Sequence, residues 1–271
     1  MELGLTNTPV CVVGGTRGMG LETAKAFASE GAQVAVMARD KHQLRSVESI
    51  LTEHGAARAL GITMDMNDTE SVHRAFRELR DSFGGLNALV NMMGPPGATY
   101  GETFEDFAES DWTAAFNQGA IGPVRTALAA LPLLRTAEWA RIVNVTAIST
   151  QHQSPSLAAY TAAKAALVSI SKNMSRTLAR EGILVNAVAP GSFATDGFKD
   201  WMRVKGHDAQ YDPESLVDSN RWIEEYYKTP ADLGRVGAPA ELASTVVFLS
   251  SRAVTFVTGA HINVDGGTDF T

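Results

Sequence analysis

The chain has 271 residues, 45% of them hydrophobic and 20% charged, with a formal net charge of −7. This is a globular balance with enough length for a large core, and its acidity excludes a general nucleic-acid or anionic-membrane surface, because phosphate binding needs a basic footprint. The lone cysteine, Cys11, lies in an apolar run and cannot form an internal disulfide, no Cys/His cluster or carboxylate pair suggests a metal, and neither a leader-like start nor a run of ~18 apolar residues is present. A soluble, cytoplasmic protein is expected.

Short β-rich runs alternate with helical patterns along the chain. Strands are predicted at 9–13, 33–38, 59–64, 88–91, 141–145, 184–189 and 261–264. Between them fall helices at 21–30, 41–54, 71–83, 111–134, 158–180 and 240–250. Regular β-α-β alternation with apolar strands predicts a parallel sheet covered by helices on both faces, a single α/β doubly wound domain of Rossmann type over residues 1–271. The segment 196–234 carries no strand signal and reads as an insertion on that domain.

The first strand runs into Val13-Gly-Gly-Thr-Arg-Gly-Met-Gly20 and then into a helix. Gly14, Gly18 and Gly20 permit a tight turn and a close approach of backbone to a pyrophosphate, which the helix N-terminus favours with free N–H groups and its dipole. Further on, Tyr160 and Lys164 stand four residues apart in AAYTAAKAAL, a run of helix formers, so phenol and ammonium share one helix face. A free phenol ionises near pH ~10, and a fixed neighbouring cation lowers that value, which suits proton exchange with a substrate oxygen.

Taken in order, these motifs resemble the short-chain dehydrogenase/reductase superfamily over nearly the whole chain. The matches are the glycine turn, Asp65 after the third strand, Asn91 opening N-M-M-G, Asn117 in a helix, Tyr160 and Lys164, Asn186 with Pro190-Gly191 and Thr195, and a C-terminal V-T-G-A-H-I-N-V-D-G-G. The resemblance implies that Tyr160 is the general acid in reduction and the base in oxidation, that Lys164 binds the nicotinamide ribose, and that Asn117 anchors a water in a proton relay. It also implies a cofactor bed of Gly14, Thr16, Arg17, Gly18, Met19 and Gly20, with Asp65 and Met66 at the adenine and Asn91 and Gly94 near its ribose. Pro190, Gly191, Phe193 and Thr195 would hold the carboxamide and phosphates. Family members commonly form tetramers through the long helices at 111–134 and 158–180, so a homotetramer or homodimer is expected.

Cofactor choice is read at the end of the second strand, where NAD enzymes place an acid for the ribose 2′-hydroxyl and NADP enzymes supply a cation for the 2′-phosphate. Here Ala38 occupies that position, Arg39 follows, and Arg17 in the glycine turn is a second guanidinium, which points to NADP(H). Asp40 is the competing group, able to reach a ribose hydroxyl instead.

Two positions depart from the family pattern. N-N-A-G is here Asn91-Met-Met-Gly94, and the residue thirteen before Tyr160, where the family places a catalytic serine, is Ala147. Thr146 and Ser149 flank the gap, and on an extended backbone Ser149 shares the face of Ala147 about 6–7 Å along. The polarising hydroxyl is therefore moved to Ser149, supplied by the substrate, or missing. His152, between Ser149 and Tyr160, either faces the substrate or is an exposed loop residue.

The insertion concentrates Phe198, Trp201, Tyr211, Trp222, Tyr226 and Tyr227 beyond the carboxyl end of the sixth strand. It is placed to act as a substrate lid with aromatic walls for a sizeable apolar substrate, or the rings anchor a helical excursion. The expected activity is hydride transfer between NADP(H) and a carbonyl/alcohol pair. An enoyl reductase and a silent NADP-binding sensor are the alternatives.

Overall fold

The computed structural model describes residues 2–94, 101, 103–153, 155–205 and 210–268. Seven strands form one sheet: β1 (Pro9–Val13), β2 (Gln33–Ala38), β3 (Arg58–Thr63), β4 (Ala88–Asn91), β5 (Ala140–Val145), β6 (Ile183–Pro190) and β7 (His261–Val264). Their order is β3-β2-β1-β4-β5-β6-β7, with every pair parallel. The order reverses between β1 and β4, where Val13 pairs with Asn91, and the carboxyl ends on either side of this switch open a crevice.

The helices are α1 (Gly18–Ser29), α2 (Lys41–Glu53), α3 (Thr69–Phe83), α4 (Glu109–Phe116), α5 (Gly122–Leu134), α6 (Ala158–Leu178), α7 (Asp196–Val204), α8 (Leu216–Tyr227) and α9 (Pro239–Leu249). Alternate strand residues feed opposite layers, as the period of two requires. Val10 and Val12 pack with Phe27 of α1, Leu44 of α2 and Leu242 of α9. Cys11 and Val13 pack on the other face with Phe76 of α3, Leu133 of α5 and Leu178 of α6. Burial on both faces explains why these strands are almost continuously apolar.

Local signals set the helix starts. The Asp40 carboxylate accepts from the backbone N–H groups of His42 and Gln43 at 2.8 and 3.2 Å, capping α2, and Asp68 and Thr195 cap α3 and α7. One predicted element differs. The helix expected at 111–134 begins at Glu109 and is broken by a π-helical turn over Asn117–Ile121, in which the Asn117 carbonyl accepts from the Gly122 N–H. The extra residue in that turn shifts α5 relative to α4, and single π-turns of this kind recur at functional sites.

The insertion forms α7 and α8, with residues 206–209 outside the described residues. Its rings pack on one another: Trp201 and Trp222 are perpendicular at 4.8 Å between centroids, Tyr227 lies 4.8 Å from Trp201, and Phe198 meets Trp222 edge-on at 5.9 Å. Trp222 and Met202 are fully buried at the centre of this satellite core. Lys199 and Arg203 of α7 both pair with Glu214, just before α8. The expectation of aromatic walls around the substrate is corrected here, because the rings are spent on holding α7 and α8 together.

Candidate active site

A cleft of about 980 Å³ lies over the carboxyl ends of the strands, lined by the strand-end residues Val13, Ala38, Val145 and Pro190 and by Met64, the residue after β3. Of the residues expected at the cofactor, Gly14, Thr16, Arg17, Gly18, Met19, Gly20, Arg39, Asp65, Met66, Gly94, Tyr160, Pro190 and Thr195 form its wall. The turn after β1 works only with glycine at two points. Gly14 has φ +84°, and a Cβ there would stand 2.6 Å from the Met92 carbonyl oxygen. A Cβ on Gly20 would lie 2.1 Å from the Gly14 carbonyl oxygen, so the first turn of α1 is folded directly onto the loop. Arg17 precedes that helix in an extended conformation with no side-chain cap, which leaves its first N–H groups facing the cleft wall.

Arg17 and Arg39 are both exposed on this wall, and neither belongs to an ion pair among the described residues. Asp40 is committed differently: its two backbone hydrogen bonds at the start of α2 hold its carboxyl below the usual carboxylate range. A carboxylate already capping a helix is a poor partner for a ribose hydroxyl, so the local chemistry favours an anion beside the two guanidiniums. The glycine cradle, the open helix end and this cation pair fit a dinucleotide bearing a 2′-phosphate.

Tyr160 lies on the cleft wall in the first turn of α6, and Lys164 follows one turn later. The Lys164 ammonium is fully buried and donates to the carbonyl oxygens of Val145, at 2.7 Å, and Met93, at 2.9 Å. These are the last residue of β5 and the second residue after β4, so the lysine stitches the helix to the sheet edge beneath the cleft. Burial pushes its pKa down to about 7. The two carbonyl acceptors oppose that push by favouring the charged form.

Other predicted residues stand behind the wall. The Asn91 side chain spans a buried network: its amide nitrogen donates to Asn144 Oδ1 at 2.8 Å, and its oxygen accepts from Thr126 Oγ1 at 2.7 Å. Asn144 continues to Ser171 of α6 at 2.9 Å. With both ends used, the Asn91 amide braces β4, β5, α5 and α6, and the expected ribose contact is corrected to this role. Gly191 packs against Asp265, and Phe193 is buried against Gly237.

Ser149 does not join Tyr160 on the wall. Ala147 ends the extended backbone, residues Ile148–Thr150 coil into a single 3-10 turn, and the buried Ser149 hydroxyl accepts from Thr161 Oγ1 at 3.0 Å. The extended-strand estimate that placed Ser149 on the face of Ala147 fails because the chain turns there. Asn117 Oδ1 lies 3.5 Å from an Arg125 nitrogen, and the same guanidinium donates to the Met66 carbonyl at 3.3 Å. Arg125 went unrecognised in the sequence, as did Gln118, whose side-chain nitrogen donates to the Gly94 carbonyl at 2.8 Å. The only local signal was their nearness to Asn117 on one predicted helix.

A doubly wound parallel sheet with a glycine-lined cleft, Tyr160 on its wall and Lys164 buried one turn behind it is the arrangement of a nucleotide-dependent oxidoreductase. Residues 13–269 match the adh_short_C2 family model, described as enoyl-(acyl carrier protein) reductase. The chain belongs to this family and with it to the short-chain dehydrogenase/reductase superfamily. It is 29% identical over 267 residues to the 3-oxoacyl-(acyl-carrier-protein) reductase FabG of Aquifex aeolicus, covering 98% of this chain and 99% of that one. The L-sorbose reductase of Gluconobacter frateurii, solved with NADPH and L-sorbose, superposes with a TM-score of 0.89 at 27% identity, over 100% of both chains. An NADPH-bound short-chain oxidoreductase of Pseudomonas aeruginosa PAO1, described as containing an atypical catalytic center, gives a TM-score of 0.87 at 27% identity over 99% of each chain. The protein is an oxidoreductase of this superfamily, and its cofactor is NADP(H). No helix among the described residues is long and apolar enough to cross a membrane.

Proposed function

We propose that the protein is a ketoreductase, reducing a carbonyl of a small-molecule substrate to the alcohol. The observation that carries this reading is Tyr160 on the cleft wall with Lys164 locked one turn behind it. The bound cofactor would supply the hydride; the chain supplies the proton and the positioning. Tyr160 donates its phenolic proton to the carbonyl oxygen as negative charge builds there. Lys164, held by Val145 and Met93, ties α6 to the sheet and would give its third N–H to the nicotinamide ribose. Asn117, in the π-turn, would anchor a water that returns a proton to Tyr160. Arg17 and Arg39 would bind the 2′-phosphate, and Gly14 to Gly20 the pyrophosphate. The FabG and L-sorbose reductase relatives support carbonyl chemistry of this type.

NADPH oxidation over a panel of ketones tests the reading: at least one ketone should be reduced, and Tyr160→Phe should abolish most of that activity. Ala147 and the diversion of Ser149 favour one competing reading, a silent NADP-binding protein, which the same panel would reveal by giving no turnover. We also propose that α7 and α8 form a lid, since Thr195, Asp196 and Gly197 at the root of α7 line the cleft. Amide exchange in 196–205 and 210–234 should then slow with NADPH and substrate. The cytoplasm is the proposed setting, and a homodimer or homotetramer through α4, α5 and α6 the proposed assembly.

A further inference from the structure

We infer that Met93 is an oxidation site: a peroxide converts its thioether to the sulfoxide, and the modified cleft loses affinity for NADP(H), which shields the sulfur while bound. The inference rests on the placement of the cofactor in this cleft and is independent of the ketoreductase reading. Among the described residues, six of the chain's nine methionines line the cleft: Met19, Met37, Met64, Met66, Met92 and Met93. Four of them are buried, and the other two, Met19 and Met93, are half-buried. The sole cysteine offers no competing target, since Cys11 is buried in β1 and burial pushes its thiol pKa up, away from the reactive thiolate.

Met93 differs from Met19 in what it touches. It is the third residue of Asn91-Met-Met-Gly94, and both its backbone and its side chain are engaged at the cleft. Its carbonyl oxygen accepts from the Lys164 ammonium at 2.9 Å. Its side chain folds back over the glycine turn, so that a Cβ placed on Gly14 would stand 2.8 Å from Met93 Sδ. The gap between that sulfur and Gly14 does not hold even one further carbon. In the oxidation a sulfur lone pair attacks one peroxide oxygen and the O–O bond breaks as the S–O bond forms. The proton on the transferred oxygen passes to the departing hydroxide, which leaves as water. The sulfur is oxidised by two electrons and the peroxide reduced by two, and a flexible apolar group becomes polar, bulkier and chiral. The new oxygen would be buried without a partner in the apolar layer on which Met93 packs, beside Leu86, Leu89 and their neighbours. It therefore either presses on the Gly14 turn or projects into the cleft that the dinucleotide enters. A dinucleotide seated along Gly14 to Gly20 covers the same wall, so bound cofactor keeps peroxide from the sulfur.

The test is graded hydrogen peroxide treatment of the cofactor-free protein, with the excess removed by catalase, followed by peptide mass mapping and NADPH titration. Met93 should gain its oxygen before Met37, Met64, Met66 and Met92. Saturating NADP+ should slow that gain about fivefold or more, and the NADPH dissociation constant of the oxidised protein should rise about tenfold or more. Methionine sulfoxide reductase with dithiothreitol should restore the affinity. Met93→Leu keeps an apolar side chain of similar volume and removes the sulfur; measured against its own untreated form, it should lose less than about twofold in affinity on the same exposure. Met19→Leu, compared in the same way, should be as sensitive as the unmodified protein. Undiminished NADPH affinity in protein carrying the Met93 sulfoxide, or an equal loss in Met93→Leu, would overturn the inference and leave the cofactor cleft standing. NADPH binding that is undisturbed by Gly14→Val would instead put the cofactor elsewhere and overturn the inference with its premise.

Discussion

The Lys164 ammonium nitrogen stands 5.7 Å from the centre of the Tyr160 ring, one helical turn along α6, while its hydrogen bonds reach back to the sheet. The two residues are therefore separable by mutation. Tyr160→Phe keeps the ring and removes the proton, so turnover should fall about 10²-fold or more with NADPH binding nearly unchanged. Lys164→Ala should damage both, because it also unties α6 from Val145 and Met93. Steady-state kinetics together with NADPH titration checks the pair, and wild-type turnover in the phenylalanine variant would show that the helix pair is structural.

Burial of Lys164 also links stability to pH. Its pKa falls from an ordinary 10.5 to about 7 in the folded protein. Between those values the unfolded chain binds more protons than the folded one, so stability gains from rising pH across this window; below about pH 7 both states hold the proton and the burial penalty is complete. The urea midpoint of the cofactor-free protein should accordingly rise with pH relative to that of Lys164→Met from pH 7 toward pH 10.5. A constant difference between the two proteins would mean that the carbonyls of Val145 and Met93 keep the lysine charged.

Arg17, Arg39 and Asp40 all line the cleft, but the Asp40 carboxylate is engaged by the N–H groups of His42 and Gln43 at the start of α2. NADPH should bind about tenfold or more tightly than NADH, and Arg39→Asp should reverse much of that preference. Asp40→Ala should instead lower the melting temperature through loss of the cap and leave the cofactor ratio within about threefold. Titration of both cofactors against the three proteins distinguishes these roles, and equal affinities in the unmodified protein would contradict the assignment of the arginines.

The Thr161–Ser149 bond removes Ser149 from the set of groups facing the cleft. Ser149→Ala should therefore change kcat/KM by less than about threefold while costing about 1 kcal/mol of stability, since a buried Thr161 hydroxyl loses its partner. Ala147→Ser restores a hydroxyl at the end of the extended segment and should raise turnover of ketones that bring no hydroxyl of their own, by about tenfold. A large kinetic loss in the Ser149 variant would show that its hydroxyl swings toward the substrate in the reacting complex.

Much of this architecture was legible in the sequence because its cause is local. Parallel strands covered on both faces must be apolar at nearly every position, so runs such as Val10–Val13 and Val34–Met37 announce themselves, and the spacing of Tyr160 and Lys164 becomes one helix face by geometry alone. The glycine turn is equally local, for Gly14 and Gly20 are demanded by atoms of neighbouring loop and sheet that any chain following this path would present. Partnerships across the fold were not legible. Sheet register brings Asn91 to Asn144 and helix packing brings Thr126 to the same amide, converting a supposed ribose ligand into a brace. The aromatic residues of 198–227 showed that something large and apolar was being built, but whether rings turn toward a cleft or toward one another depends on how α7 meets α8. The π-turn at Asn117 and the 3-10 turn at Ser149 each displace the following chain relative to a regular element, and only packing against α6 selects these turns over the helix and strand that periodicity predicts. Local periodicity thus determined the sheet, the glycine turn and the Tyr160–Lys164 pair, whereas three-dimensional packing alone decided which hydroxyls, amides and rings face the reaction.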